Sequence, residues 1–298
     1  MANLTLRQLK YFEALARHGH FGRAAEASSI SQPALSVQIK EMEAELGAAL
    51  FERGARQVRL TALGEEVAGR VHDILRAVEE LGDMARARGD ELAGRLRIGI
   101  IPTIAPYLLP RIVGQLARAY PGLDINIRET MTERLLQELH EGRIDTAIVA
   151  LPVSEPGLEE AALFEESFVL VRPPEDAGKP VPDAEALARM RLLLLEEGHC
   201  FRDQALSFCR RRPALPRDGL DGSSLSTLVQ MVAAGIGVTL IPEMAVPVET
   251  RSADVSVARF PAPQPARRVG IIWRKTSPLA PRLRHIAVVV GRAGPGPA

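Results

Sequence analysis

Between residues 94 and 151 three short apolar runs, GRLRIGI, LDINIRE and IDTAIVAL, alternate with two segments of helical periodicity, residues 106–120 and TERLLQELHEG. Parallel strands cannot be joined by a tight turn, so the order strand, helix, strand, helix, strand implies a parallel sheet with crossover helices on its faces. A second unit of the same kind starts at SFVLV and continues through RLLLLEEGH and GVTLIPE, before RRVGIIWRK and RLRHIAVVVG return to the first. The expected class for this part is α/β, in two lobes that leave a cleft.

The first ninety residues read differently, as an all-α domain. Thr5 can cap a helix in which Leu6, Leu9, Phe12, Leu15 and Ala16 recur at helical spacing, and Gly19 closes it. Phe21, Ala24 and Ala25 begin a second, short helix. In ISQPALSVQIKEMEAELG, Ser31 is a good N-cap, Pro33 sits in the first turn where its missing N–H costs little, and Gly47 ends the helix. Leu35, Ile39, Met42 and Leu46 share one face, which leaves Pro33, Ser36, Val37 and Lys40 outward with Gln32 at the edge. Three short helices with small residues where the second meets the third describe a helix-turn-helix, whose last helix offers its N-terminal side chains to base edges. Gln32 can pair bidentately with adenine, and Ser36 with either partner of a base pair. FERGARQVRLT then places Arg53, Arg56 and Arg59 around Gly54, a hairpin wing able to touch phosphates. The plainer alternative is an ordinary capped helix beside a solvated turn.

Thr61 can cap a long helix carrying Leu63, Val67, Val71, Ile74, Val78, Leu81 and Ala85 as an a/d seam, which suits pairing with a second copy. The same stripe would also serve to pack the helix on its own domain.

Charge neither demands nor forbids such a reader. Thirty-seven Lys and Arg balance thirty-seven Asp and Glu, so affinity for double-stranded DNA has to come from a local patch. The N-terminus lacks the basic and apolar regions of a signal peptide, and IPTIAPYLLP is too short for a membrane span. Two cysteines are too few for a disulfide scaffold. The expectation is a cytoplasmic protein without membrane contact, whose thiols are reduced by default.

FGRAAEASSISQPALSVQIKEMEAELGAALFER resembles the DNA-binding signature of the LysR-type transcriptional regulators almost position for position. The resemblance implies a winged helix-turn-helix over 1–61, a dimerising linker helix over 62–93 and a regulatory domain over 94–298 similar to periplasmic binding proteins. Within the last, lobe I would hold about 94–166 and 267–298, and lobe II about 167–266. It further implies a homodimer or homotetramer and RNA polymerase as a partner. EEGHCFRDQALSFC, together with IPTIAP and MVAAGIGVTLIP, is similar to the hydrogen-peroxide-responsive branch of that family. That branch implies hydrogen peroxide as signal, a cytosolic thiol reductant is expected to reset the protein, and no cofactor or metal is expected, since the six histidines lack zinc-type spacing and no Cys-x-x-Cys pair is present. The segment Gly219–Gly222 departs from the pattern, lacking the bulkier and more charged residues expected there.

The two cysteines can also be read from chemistry. Cys200 would lie near a helix N-terminus, where exposed N–H groups, Arg202 or a protonated His199 favour the thiolate that attacks peroxide. Cys209 would face another, apolar environment. Nine residues of helix separate the two by roughly 13–14 Å along the axis, whereas a disulfide needs Cα atoms within about 7 Å. A bond between them therefore requires the helix to unwind, which makes Cys200 the peroxidatic sensor and Cys209 the resolving latch.

Through the same resemblance Thr103, Thr132, His199, Arg202, Asp203 and Arg268 match positions around the peroxidatic cysteine. Threonine hydroxyls can hold peroxide, Asp203 can orient a cation or pass a proton, and Arg268 can stabilise developing negative charge. Plainer roles exist for three: Thr103 as a helix cap, Asp203 as a first-turn acid and Arg268 as a surface ion-pair member. Two other functions compete. One is a LysR-type regulator that binds a small anionic metabolite in the interlobe cleft, with Thr103 among its ligands. The other is a thiol peroxidase, distinguished by turnover rather than stoichiometric oxidation.

Overall fold

The computed structural model describes residues 3–52, 58–88, 93–208 and 221–294. It divides into two compact units, Met1–Ala85 and Arg86–Ala298.

The first unit is built on locally specified helices. In α1 (Leu6–His18) the Thr5 hydroxyl accepts from the Gln8 N–H while the Gln8 side chain accepts from the Thr5 N–H, and Gly19 closes the helix at φ 59°. That reciprocal pair satisfies two donors that would otherwise be left without partners at the helix start. The short α2 (Phe21–Ala27) is capped by the His20 ring, which accepts from Gly22 and Arg23. Next, α3 (Gln32–Leu46) starts at Ser31, with Pro33 in its first turn, and ends at Gly47 with φ 70°. Leu9, Phe12, Leu15, Ala24, Leu35, Ile39 and Met42 form one buried core with Leu50 and Phe51.

After α3 comes the base of the expected hairpin, an antiparallel bridge between Phe51 and Leu60. Arg53, Gly54 and Arg56, expected at its tip, lie outside the described residues. Thr61 then caps α4 (Ala62–Arg88) by accepting from the Gly64 N–H at 3.0 Å. The stripe on α4 is divided between buried and exposed positions. Val71 and Leu75 are buried in the core of their own unit, while Leu63, Ile74 and Leu81 are exposed.

In the second unit the first strands and helices follow in the expected order: β1 (Gly94–Ile100), α5 (Ala105–Ala119), β2 (Leu123–Glu129), α6 (Thr132–His140) and β3 (Thr146–Leu151). Then come the long β4 (Leu158–Arg172), α7 (Ala184–Arg189), the two-residue β5 (Leu192–Leu193), α8 (Cys200–Phe208) and α9 (Leu225–Ala233). The chain ends with β6 (Val238–Pro242), α10 (Val246–Glu249), β7 (Ser256–Arg259), β8 (Ala266–Arg274) and α11 (Ala280–Gly291).

The sheet is mixed rather than wholly parallel. β1 runs parallel to β2 and β3, and β5 is parallel to β6, but β8 returns antiparallel between β3 and β4. The physical reason is connectivity, since β8 enters the first lobe from the second and so meets both neighbours in the opposite direction. β4 is the shared spine: Leu158–Ser167 pairs with β8, and Phe168–Arg172 pairs with β6 and β7. Each lobe has its own apolar core, one around Ile98, Ile148, Ile271 and Trp273, the other around Phe168, Leu170, Phe201, Val229 and Ile241. Among the described residues no helix is long and apolar enough to cross a membrane.

Candidate functional site

In the first unit, Ser31 accepts from the Ala34 N–H and fixes where α3 begins. Burial of Leu35, Ile39 and Met42 then turns Gln32, Pro33, Val37 and Lys40 to the outside, with Ser36 half-buried beside them. The outward face is short and polar at its N-terminal end, the shape and chemistry that a major groove admits. Arg59 is exposed at the base of the hairpin, where its carbonyl accepts from the Glu52 N–H at 2.9 Å.

In the second unit, the loop before α8 is fastened from outside: Glu196 donates to the Gly222 carbonyl, and Gly222 donates to the Leu194 carbonyl. Gly198 then takes φ 94°, a left-handed turn that a side chain would strain. That turn delivers His199 and Cys200 to a small recess lined by Ile101, Pro102, Thr103, Met131, Thr132, Gly198, His199 and Cys200. The recess has room for about one water-sized molecule.

Cys200 is a free thiol, half-buried, and the first residue of α8. The thiol therefore sits at the N-terminal end of α8, where the helix dipole is positive. Cys200 packs against the core of the first lobe, whereas the next residue, Phe201, is buried in the core of the second. One peptide bond thus joins the thiol to both lobes.

Polar groups surround the recess. The Thr132 hydroxyl is buried and has no hydrogen-bond partner among the described residues. Such an orphan is costly unless something polar visits it. Thr103 is also buried, and its hydroxyl accepts from Arg267 at 2.8 Å while its carbonyl accepts from the same guanidinium at 2.9 Å. Burial pushes His199 below its ordinary value, against a smaller opposing pull from Glu196, so the ring is neutral at neutral pH. That direction runs against a protonated His199 beside the thiol.

Arg202 and Asp203 match the recess in sequence but do not line it. Successive residues of a helix diverge by 100°, and with Phe201 turned into the core both point elsewhere. Arg202 donates to the Leu195 carbonyl at 2.6 Å and to the Asp221 carboxylate at 2.8 Å, tying the start of α8 to its flanking loop. Asp203 is exposed in the first turn of α8, where a carboxylate complements the helix dipole. Cys209 lies outside the described residues.

Arg268 lies away from the recess, and its neighbour Arg267 is the arginine bonded to a recess residue. Side chains of a strand alternate, so a one-residue slip moves a residue to the other face. Arg268 is exposed on β8 opposite Glu165, whereas Arg267 points inward. The Arg267 and Glu166 side chains are 0% and 1% exposed and form an ion pair at 2.7 Å. Arg267 also lies with its guanidinium carbon 5.5 Å from the centroid of the Phe201 ring. It therefore joins Thr103 of the recess, Glu166 of β4 and the first turn of α8. The sequence signal was its parity with Val269, Ile271 and Trp273, all fully buried.

A second polar contact between the lobes also escapes a sequence reading. Tyr107 of α5 donates to Glu249 of α10 at 2.6 Å, and Ser226 of α9 donates to the other carboxylate oxygen. Burial, reinforced by the Glu249 carboxylate, holds the Tyr107 phenol well above its ordinary value and so keeps it protonated as the donor.

Comparison with known proteins agrees with this geometry. Residues 6–65 match the bacterial regulatory helix-turn-helix protein, lysR family, and residues 89–293 match the LysR substrate binding domain. A probable hydrogen peroxide-inducible genes activator from Streptomyces viridosporus is 42% identical over 97% of this chain and 94% of its own. The DNA-binding transcriptional dual regulator OxyR of Escherichia coli is 40% identical over 96% of this chain and 95% of its own. Among solved structures, a full-length OxyR variant from Pseudomonas aeruginosa has a TM-score of 0.76 at 38% identity, covering 98% of this chain and 96% of the other. A hydrogen-peroxide-bound OxyR variant from Corynebacterium glutamicum has a TM-score of 0.66 at 37% identity, covering 97% and 92%. With a helix-turn-helix at one end and a free thiol set at a helix start in a two-lobed α/β unit at the other, the chain belongs to the LysR family of regulators, in its OxyR branch of hydrogen peroxide-inducible gene activators.

Proposed function

We propose that this chain is a sequence-specific DNA-binding regulator that senses hydrogen peroxide through Cys200. The observation that carries the reading is the recess itself: a free thiol at a helix start beside an unpartnered buried hydroxyl, Thr132, and a neutral imidazole, His199. The Cys200 sulfur attacks one peroxide oxygen as its thiolate. An S–O bond forms, the O–O bond breaks, and the departing hydroxide takes a proton to leave as water. Thr132 and Thr103 hold the peroxide oxygens, and the helix start stabilises the charge on sulfur. Arg267 acts at one remove, by fixing Thr103 through its Glu166 anchor.

The sulfenic acid is then attacked by Cys209, which forms the disulfide and releases a second water. The helix has to give way first. While Cys200–Phe208 is helical, its end Cα atoms stand about 12 Å apart. The next residue can recover at most one 3.8 Å step of that, leaving about 8 Å or more against the ~7 Å limit of a disulfide. Closing the bond thus unwinds part of α8 and withdraws Phe201, Arg202 and their contacts from the lobe junction.

The unwound state changes how two paired copies present their α3 faces to DNA. Gln32, Pro33, Ser36 and Lys40 meet the major groove, and Arg53, Arg56 and Arg59 meet the backbone. The exposed Ile74 and Leu81 of α4 fit pairing with a second copy, as dimer or tetramer. The regulator works in the cytoplasm with RNA polymerase and is reset by a thiol reductant. Oxidation is stoichiometric and involves no cofactor, so the protein is a sensor rather than an enzyme. Cys200→Ser tests the reading: the variant keeps its DNA affinity and its footprint no longer changes with peroxide, and a footprint that still shifts would overturn it.

A further inference from the structure

The walls of the recess are unequal. Ile101 and Thr103 are buried and packed, and His199 is held within the fold, so none can yield much. Pro102 is rigid, Thr132 is short and Gly198 has no side chain. Met131 is the single long unbranched side chain in the wall, partly exposed at the residue that precedes α6. Its sulfur would lie 2.8 Å from a Cβ placed on Gly198, closer than two such atoms can stand. The thioether thus lies directly over the bare backbone of the turn that delivers Cys200. In this position it spans the gap between the start of α6 and the loop before α8.

We propose that Met131 sets the size limit of the recess, admitting hydrogen peroxide and turning away hydroperoxides that carry a bulky alkyl group. The proposal rests on the peroxide-sensing reading above and specifies its substrate class. The space left beside Cys200 suits about one small molecule, and a tertiary alkyl group has nowhere to go while the thioether lies across Gly198. Unlike Thr103, Thr132 and His199, Met131 can be shortened without removing a polar side chain from the recess. Its effect is one of positioning and exclusion, not of chemistry at the oxygen.

The test uses the full-length reduced protein and its Met131→Ala, Met131→Val and Met131→Leu variants. Rates of Cys200 oxidation are followed by quenching and mass spectrometry, with hydrogen peroxide and with tert-butyl hydroperoxide. The readout is the ratio of the two rates, which a loss of general stability would not move. In Met131→Ala the ratio shifts toward the alkyl hydroperoxide by at least about tenfold, the scale on which small changes in pocket shape discriminate substrates. Met131→Val falls between, and Met131→Leu, similar in volume, keeps the wild-type preference. An unchanged ratio in both Met131→Ala and Met131→Val overturns the proposal. Wild-type Cys200 that is inert to hydrogen peroxide instead overturns the sensing reading on which it rests, so the two failures are distinguishable.

Discussion

Replacing Arg267 with alanine removes three hydrogen bonds at once and leaves a carboxylate with no countercharge. The guanidinium donates to Glu166, to the Thr103 hydroxyl and to the Thr103 carbonyl, and both charged side chains are fully withdrawn from water. Breaking a buried pair by deleting one partner costs about 3–5 kcal/mol, because the other charge stays buried. For a unit of this length each kcal/mol corresponds to roughly 2–4 °C, so the melting temperature falls by something on the order of 6–20 °C. The pH dependence carries a second signature. Burial already raises the Glu166 carboxyl above its ordinary value, with the Arg267 charge as the largest opposing influence. Without Arg267 the folded-state value rises further, so the folded chain holds a proton that the unfolded chain releases. Such a raised group favours folding below the unfolded value, about 4.3 for a glutamate, and loses that contribution as pH climbs through the folded value. The deficit of Arg267→Ala is therefore larger at about pH 7.5 than at about pH 5.5. The Glu166→Leu/Arg267→Met double variant recovers much of the loss, since an apolar pair replaces a half-broken ionic one. Thermal unfolding of the full chain at several pH values measures all of this. A melting temperature within about 2 °C of wild type at every pH would refute the role given to the pair.

Two further outcomes follow from other parts of the molecule. On DNA, Gln32→Ala relaxes discrimination at one base pair by about 1–3 kcal/mol, whereas Lys40→Ala weakens all sequences alike and reduces the salt slope by about one; competition binding across salt concentrations separates the two. His199 is held below the ordinary histidine value of about 6.5 chiefly by burial, so the unfolded chain binds the proton that the folded chain refuses. Its contribution to stability is present above that value and is lost as pH falls below it, and His199→Gln flattens stability–pH curves in this window.

The helix-turn-helix was legible because its instructions are local. Thr5, Ser31, Thr61, Gly19 and Gly47 each act within a few residues, and each does so here. The first strands of the second unit were legible for the same reason, as short apolar runs with turn signals between them. Non-local facts were not. Only the long-range path of the chain makes β8 antiparallel between β3 and β4. The first half of β4 hides in LEEAALFEES, where only Leu158 and Glu166 are buried and the run is not continuously apolar. Arg267 and Arg268 differ only in strand parity, which is fixed by pairing with β4, itself shifted by a bulge between Ala162 and Phe164. The recess was half legible: Thr103, Thr132, His199 and Cys200 converge, but Met131, the neighbour of Thr132, carries no signal of its own. The state of His199 depends on burial, which no residue type announces.

The proposed sensing requires that Cys200 be oxidised in the recess and then captured by Cys209 after α8 yields. The most direct measurement is tryptic mapping of the full-length reduced protein, quenched at short intervals after one equivalent of hydrogen peroxide, with backbone amide exchange of α8 followed in parallel. The predicted result is a Cys200–Cys209 peptide that forms rapidly, reverses with a dithiol and appears together with loss of protection across residues 200–208. Two thiols that stay free, or a disulfide that forms while α8 keeps its full protection, would contradict it.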